Sequence, residues 1–530
     1  MSSTRREFVA MLLGAPAAAA LACRTPSRGL PPGALYDTGM ARGHAAVRDR
    51  SAPLPIVPPE RVRHMDVAIV GGGVAGLAAA WELRRRGARD VTVLELDDVS
   101  GGTARGGASS VTPYPWGAHY IVAPQSGAEA IVPLLAEMNA IERYADDGAP
   151  TIDEGLRCRE PEERVWYLGR WWEGLYLEAG GSTDDRRQLE QFKREIDTWA
   201  AWRDDRGRRA FAIPRSHATD DPRVTALDRI SFADWLDQKR LTSSRLRWLC
   251  DYGCRDDYTL TAATTSAWAG IFYFAARQKA PGAAAQTVVT WPDGNGALVA
   301  QLAKSARIET GVTVINIDES TGAITALDRG GAPIGIQANR IVVATPSFVA
   351  NRIVRGRRAA AAPYRGDYGS WVVANVHLTG RPIERGHGCP PAWDNVFRDS
   401  PSLGYVSATH QRGRDRGPTV WTWYYAFADG DPADVRRRLA GAGYAEWAEV
   451  ILADLERAHP DVRDFVEHID VAFWGHGMIR PRVGAVWSDA LAAAAQPIGC
   501  VHFAHTDLSA FALFEEAFDH GLRAAREVTA

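Results

Sequence analysis

The stretch from Asp66 to Glu95 leaves this chain few ways to fold. Val67-Ala68-Ile69-Val70 is a short apolar run of buried-strand type, and Gly71-Gly72-Gly73-Val74-Ala75-Gly76 follows without a gap. The glycines keep G-x-G-x-x-G spacing through Gly71, Gly73 and Gly76. Leu77 to Arg86 is Ala-rich with helical periodicity, and Gly87 stops it. Val91-Thr92-Val93-Leu94 is a second strand with Glu95 at its end, 19 positions after Gly76. The order predicts a βαβ unit that takes a dinucleotide. Gly71 permits the tight turn, Gly73 lets a pyrophosphate approach the backbone, and Gly76 lets helix and strand pack closely. The first N–H groups of the helix, at Val74 and Ala75, point with the helix dipole at two phosphate charges. Glu95, with Leu96 after it, stands where a carboxylate accepts from the adenosine ribose.

The 530 residues are 46% hydrophobic and 24% charged, which gives a folded chain of two or three domains. Net charge is −3 and no basic run stands out, which argues against a nucleic-acid partner. Lysine is scarce: Lys193, Lys239, Lys279 and Lys304 are the whole set. Cys250 and Cys254 are spaced to meet on one helix face, more as small buried residues than as reactive thiols, and no CxxC pair supports a metal or an iron–sulfur cluster.

The N-terminus reads as an address. Ser3-Thr4-Arg5-Arg6-Glu7-Phe8-Val9 resembles the twin-arginine export signal, and the apolar stretch Phe8 to Ala22 has signal-peptide length. Ala20-Leu21-Ala22-Cys23 resembles a lipoprotein cleavage box, which would attach the mature chain to a membrane through a lipidated Cys23. Residues 1–23 are therefore expected to be a signal peptide, and the protein to reach the periplasm or cell envelope. Residues 24–61 are rich in Pro, Gly and Arg and read as a linker.

Ser100-Gly101-Gly102-Thr103-Ala104-Arg105-Gly106-Gly107 is a second glycine-rich loop. It resembles the loop by which the flavin-containing amine oxidases, with the related phytoene desaturase-like enzymes, extend their grip on the FAD pyrophosphate. Trp116-Gly117-Ala118-His119-Tyr120 resembles the segment running beneath the flavin in that family. Trp291 to Leu298 is similar to its glycine turn, Gly311 to Ile317 to its adenine-clamping strand, and Arg340 to Pro346 to the strand returning to the nucleotide domain. Val501 to Asp507 and Glu515 to Ala525 resemble its last FAD-binding strand and helix. The resemblance implies FAD as cofactor, held by Gly71, Gly73, Val74, Ala75, Gly76, Glu95, Leu96, Gly101, Gly102, Thr103, Arg105, Gly117, Ala118, His119, Val314, Ala344, Asp507 and Phe514. It implies an α/β fold: a Rossmann-like FAD-binding domain from residues 62–130, 285–346 and 480–530, with an α+β substrate domain inserted as 131–284 and 347–479. No second G-x-G-x-x-G with its strand and helix appears, so the electron acceptor is expected to be O2 or a quinone rather than a docked nicotinamide.

All the catalytic candidates but His119 lie in the inserted segments. Tyr252-Gly253-Cys254-Arg255-Asp256-Asp257-Tyr258 joins two carboxylates to phenols, and Asp257 and Tyr258 are the candidates there for orienting a polar or cationic small-molecule substrate. His410 follows Tyr405-Val406-Ser407-Ala408-Thr409, and with His476 and His119 it is a candidate base. Trp474 and His476 take the position from which amine oxidases contribute an aromatic cage residue. One departure stands out: no lysine follows Lys304, so the family's lysine–water pair at flavin N5 is absent. That leaves room for dehydrogenases, desaturases and isomerases. The leading expectation is an exported FAD-dependent oxidoreductase taking a hydride from a C–N or C–C bond onto flavin N5. A redox-neutral mutase or isomerase and a non-catalytic envelope flavoprotein are the alternatives.

Overall fold

Val62–Val70 lies at the centre of the first sheet because both its faces are covered: Val67, Ala68, Ile69 and Val70 are all buried. The computed structural model describes residues 29–530 except 37, 125–128, 147, 279, 281, 283–287, 360–363 and 387. Val62–Val70 pairs in parallel with Val91–Glu95, Val70 opposite Leu94, and on its other side with Pro333–Val343, Val343 opposite Val70. Val501–Phe503 continues the parallel set beyond Pro333–Val343, and Arg307–Thr310 closes the opposite edge. Thr313–Asp318 and Ala323–Leu327 run antiparallel into Pro333–Val343. The carboxyl ends of the parallel strands thus share one edge, where open α/β sheets bind ligands.

The helix predicted after the glycines is Val74–Arg85, and its Ala78, Ala79 and Ala80 are fully buried. Small side chains are needed because Phe514–Thr529 crosses directly over it: a Cβ on Gly521 would lie 2.4 Å from the carbonyl oxygen of Ala75. Gly296–Ala303 packs on the same helix. This sheet and its covering helices give the mixed α/β fold with parallel strands that the sequence pattern predicts.

The second sheet has eight strands in the order Gly33–Tyr36, Val466–Ile479, Tyr368–Leu378, Thr419–Ala426, Gly404–Ser407, Asp394–Phe397, Glu163–Tyr167, Arg170–Glu173. Most pairs are antiparallel. A helical layer comes from residues 183–275, where Ser182 and Ser231 each close a capping box at a helix start. Leu189, Phe192, Trp235, Leu246, Cys250, Cys254, Trp268 and Phe272 form its core with Phe511 from the C-terminal segment. Cys250 and Cys254 are buried and form no disulfide, as small core residues.

The described part of the segment read as a linker is docked. Gly33–Tyr36 adds a parallel edge strand against Ile469–Ala472, Tyr36 stacks on Trp116 at 4.4 Å, and the Arg42 guanidinium donates to the Leu96 carbonyl. An edge strand needs backbone N–H and C=O groups more than apolar side chains, so four residues among prolines and glycines left no periodic trace. The export signal and Cys23 lie outside the described residues. No helix among the described residues is long and apolar enough to cross a membrane.

Candidate active site

The three motif glycines do different work. A Cβ on Gly71, whose φ is +107°, would sit 2.6 Å from the Ala344 carbonyl oxygen, and one on Gly76 would sit 1.9 Å from that of Gly71. Both positions are closed by packing. A Cβ on Gly73 would meet nothing within 4 Å. This open cradle adjoins the start of Val74–Arg85, whose first N–H groups have no side-chain cap. The second glycine loop lies against it: Gly101 N–H donates to the Gly72 carbonyl at 2.7 Å, and Gly101 and Gly102 both take positive φ. Donors at a bare helix terminus beside an empty cradle fit a pyrophosphate.

Glu95 accepts from the N–H of Gly72 at 2.6 Å and of Asp97 at 2.7 Å. Burial pushes its carboxyl up, against the pull of those two bonds. Val312 N–H donates to the Glu95 carbonyl at 2.9 Å, which brings the strand of Val314 beside the acid, and the Leu96 side chain packs against Gly39. Ala344 N–H donates to Val70 at 2.8 Å. Farther along, a Cβ on Gly117 would lie 2.1 Å from the Thr103 carbonyl oxygen, and Ala118 N–H donates to that oxygen at 3.0 Å. Thr103, Gly117 and Ala118 thereby reach one wall of a cavity of about 180 Å3, whose other wall includes Ala512, Leu513 and Phe514. The N-terminus of Phe514–Thr529 is also uncapped by any side chain.

Beyond those residues the cavity is aromatic and acidic. Tyr120, Tyr252, Trp371, Trp393, Tyr424 and Trp474 line it, together with Asp256, Asp257, Asp394 and Glu515. Arg277 is the only guanidinium in that lining, and no lysine is present among the described lining residues. Arg277 donates to Asp257 Oδ2 at 2.7 Å and to the Tyr120 hydroxyl at 3.1 Å, and its guanidinium lies 4.2 Å from the ring centre of Tyr273. The Tyr252 hydroxyl donates to Asp394 Oδ2 at 3.3 Å. Burial, then the neighbouring charge of Asp257, pushes Asp256 up to about 7. Glu163 is pushed up to about 8 and Glu162 to about 7, again by burial first and neighbouring carboxylates second. Burial also raises Asp257 and Asp394.

Of the predicted catalytic residues, the cavity brings together His119, Asp257 and Trp474. His119 Nδ1 pairs with the Tyr424 hydroxyl at 3.0 Å, while Nε2 is buried without a partner, and burial lowers the ring to about 3. Trp474 Nε1 donates to the Trp116 carbonyl at 2.8 Å. The other three expectations are corrected. His410 is buried away from the cavity, its Nε2 held at 2.9 Å on the Arg159 carbonyl after a strand end turns back on itself. His476 lies where the pairing of Val466–Ile479 with Tyr368–Leu378 loses its register, outside the cavity lining, and packs on Phe348 at 4.3 Å. Tyr258 points into the helical core, where its hydroxyl donates to the Ala269 carbonyl at 3.0 Å.

Two predicted cofactor contacts are occupied within the protein. Arg105 is buried and bonds Asp97 at 2.7 Å and the Gly102 carbonyl at 3.1 Å. Asp507 accepts from Ser347 N–H at 2.6 Å and from the Tyr368 hydroxyl, and it faces His505 at 2.9 Å. Burial would raise Asp507, but His505 and these donors hold it low. Sequence reasoning missed Arg277, Glu162 and Glu163. Arg277 lies 20 positions from Asp257 on the far side of a helix–helix turn, and no periodic signal joins residues so placed.

A dinucleotide cradle at the carboxyl edge of a parallel sheet, joined to an enclosed aromatic cavity, defines an FAD-dependent oxidoreductase of the two-sheet type. The chain belongs to the flavin containing amine oxidoreductase family, whose model matches residues 74–529, and FAD is its cofactor. A Mycobacterium tuberculosis protein designated a flavin-containing monoamine oxidase, AofH, is 27% identical over 301 residues, 53% of this chain and 57% of that protein. The match thus spans little more than half of this relative. Among solved structures, a redesigned putrescine oxidase is 18% identical with a TM-score of 0.62, covering 88% of this chain and 99% of its own. A fatty acid isomerase from P. acnes is 15% identical with a TM-score of 0.60, covering 88% and 99%. These two likenesses establish the fold.

Proposed function

We propose that the protein oxidises a cationic amine at a C–N bond. One observation carries this reading: among the described residues, four carboxyl side chains line the cavity against a single guanidinium that is already paired. An ammonium group would offset that excess, whereas a carboxylate or phosphate substrate would meet like charge, which weighs against a fatty-acid or sugar-nucleotide isomerase. The walls favour the same ligand, because aromatic faces attract cations, most strongly where water is excluded.

FAD, when bound, accepts a hydride at N5 and passes the electrons to O2 or a quinone. The chain's own residues prepare the amine. Ionised Asp256 pairs with the incoming ammonium and, with its carboxyl near 7, takes the proton that must leave before the nitrogen lone pair is free. Arg277 pulls Asp257 back against the rise that burial imposes and fixes Tyr120 beside it. Neutral His119, oriented by Tyr424, acts as a hydrogen-bonding wall rather than a base. Gly71, Gly73, Val74, Ala75, Gly76 and Glu95 would hold the adenosine and phosphate end, and Thr103, Gly117, Ala118 and Phe514 the flavin end. Export by the twin-arginine route, with or without lipidation at Cys23, belongs to the same proposal and rests on the sequence of residues 1–23.

Anaerobic mixing of the yellow holoprotein with amines is the test. Cationic amines should bleach the oxidised flavin band and release the corresponding carbonyl product. Turnover of a substrate without nitrogen, with no bleaching by any amine, would overturn the reading. Loss of envelope location on changing Arg5-Arg6 to Lys-Lys tests export separately.

A further inference from the structure

Val466–Ile479 and Tyr368–Leu378 carry a feature that the flavin chemistry does not use. His377 and His468 stand directly opposite each other across these antiparallel strands, and their rings stack at 3.8 Å with 15° between planes. Asp470, two residues along on the same face as His468, places Oδ2 at 3.6 Å from Nε2 of His377 and at 3.6 Å from Nε2 of His468. All three ligand atoms lie within 4.8 Å of one another.

His377 is 4% exposed and its Nε2 has no hydrogen-bond partner, although burying an unpaired ring nitrogen is costly. The 3.6 Å separations are too long for hydrogen bonds, but they approach the edge of about 3.3 Å expected between ligand atoms of a tetrahedral site with bonds of about 2.0–2.1 Å. The ring of Tyr114 lies edge-on to His377 at 5.1 Å and blocks one side, while His468 and Asp470 are about one-third exposed and leave the other open to solvent.

We propose that His377, His468 and Asp470 form a binding site for a divalent transition metal, with water completing the coordination. Two imidazoles and one carboxylate select zinc, copper, nickel or cobalt over magnesium or calcium, which prefer all-oxygen sites. A small splay of the stacked rings turns both Nε2 lone pairs onto one ion. The site clamps the two long strands of the second sheet, beside the Gly33–Tyr36 edge strand, in which Ala34 pairs with Asp470. Its role there is structural, away from the aromatic cavity.

The test uses tag-free, FAD-loaded protein stripped with a chelator and titrated with zinc(II) against a chromophoric competitor. One zinc per chain should bind and raise the melting temperature. His468→Gln and Asp470→Asn, both at partly exposed positions, should each weaken zinc about 10- to 100-fold without changing flavin content. Copper(II) loading should give an electron paramagnetic resonance signal split by two nitrogens, reduced to one in His468→Gln. No zinc uptake, or uptake equal in the natural chain and both variants, overturns the site.

Discussion

Arg277 donates to Asp257 at 2.7 Å inside a cavity whose described lining holds no other guanidinium or ammonium for the remaining carboxyls. The pair is an internal precedent for what the cavity lacks. Arg277→Met should leave Asp257 buried and uncompensated, lowering stability by about 3–5 kcal/mol. Adding Asp257→Leu should recover most of that loss, because the uncompensated charge goes with it. Denaturant unfolding of the two variants checks both statements, and an unchanged midpoint for Arg277→Met would show that the pair is not buried as described.

Asp256→Asn tests the recognition role. The amide keeps shape but cannot ionise, so KM for a cationic amine should rise about 10- to 100-fold, while FAD content stays unchanged. Because burial pushes Asp256 up to about 7, kcat/KM of the natural enzyme should climb as pH passes that value, and this limb should disappear in the variant. The readout is a pH profile of both proteins.

His119 is a neutral ring across the working range, since burial lowers it to about 3. Tyr424→Phe removes its partner at Nδ1 and should cost about 0.5–1.5 kcal/mol of transition-state stabilisation, about 2- to 10-fold in kcat/KM. Neither Tyr424→Phe nor His119→Gln should remove the limb near 7. Loss of that limb in His119→Gln would transfer the base role from Asp256 to His119.

Much of the fold was readable because the βαβ unit writes itself locally: Val67 to Val70, the glycines, and Glu95 are contiguous and each has a mechanical reason. The cavity was readable only in pieces. Trp474, His119 and Asp257 line it, yet the candidates His410, His476 and Tyr258 turn away from it. Which face of a strand or helix turns inward depends on what the sheet packs against, and that information sits far away in the chain. Glu163 shares a strand with buried Arg164, which pairs with Glu384, and nothing in the sequence says that Glu163 is left beside other carboxyls instead. The docking of Gly33–Tyr36 escaped notice for a related reason: its partner Ile469–Ala472 is more than 400 residues away.

Gly73→Ala and Gly76→Ala separate cofactor fit from packing. Gly73→Ala should unfold within about 0.5 kcal/mol of the natural apoprotein, since the new methyl meets open space. Its FAD affinity should fall at least about tenfold, because the methyl occupies the pyrophosphate's approach. Gly76→Ala must push its backbone away from the Gly71 carbonyl, so the apoprotein itself should lose about 1–3 kcal/mol or more. Equal FAD binding by Gly73→Ala and the natural chain would remove the cradle from the cofactor site.

The raised carboxyls in and around the cavity also couple it to stability. Asp256 and Glu162 sit at about 7 and Glu163 at about 8, whereas the same groups titrate at about 4 in an unfolded chain. Between about pH 4 and pH 8 the unfolded chain has released protons that the folded chain keeps. These groups therefore stabilise the fold fully below about pH 4, and that contribution is lost as pH rises through the folded values. Asp185, held down to about 2 by Ser243 and Ser182, acts in the opposite sense and at lower pH. A Glu162→Gln, Glu163→Gln, Asp256→Asn variant isolates the share of these three carboxyls. Relative to it, the natural holoprotein should lose melting temperature between pH 5 and pH 8. Tetramethylammonium should restore more of that loss at the higher pH, where the carboxyls are ionised. A variant whose pH dependence matches the natural chain would show that these groups are not buried carboxyls awaiting a cation.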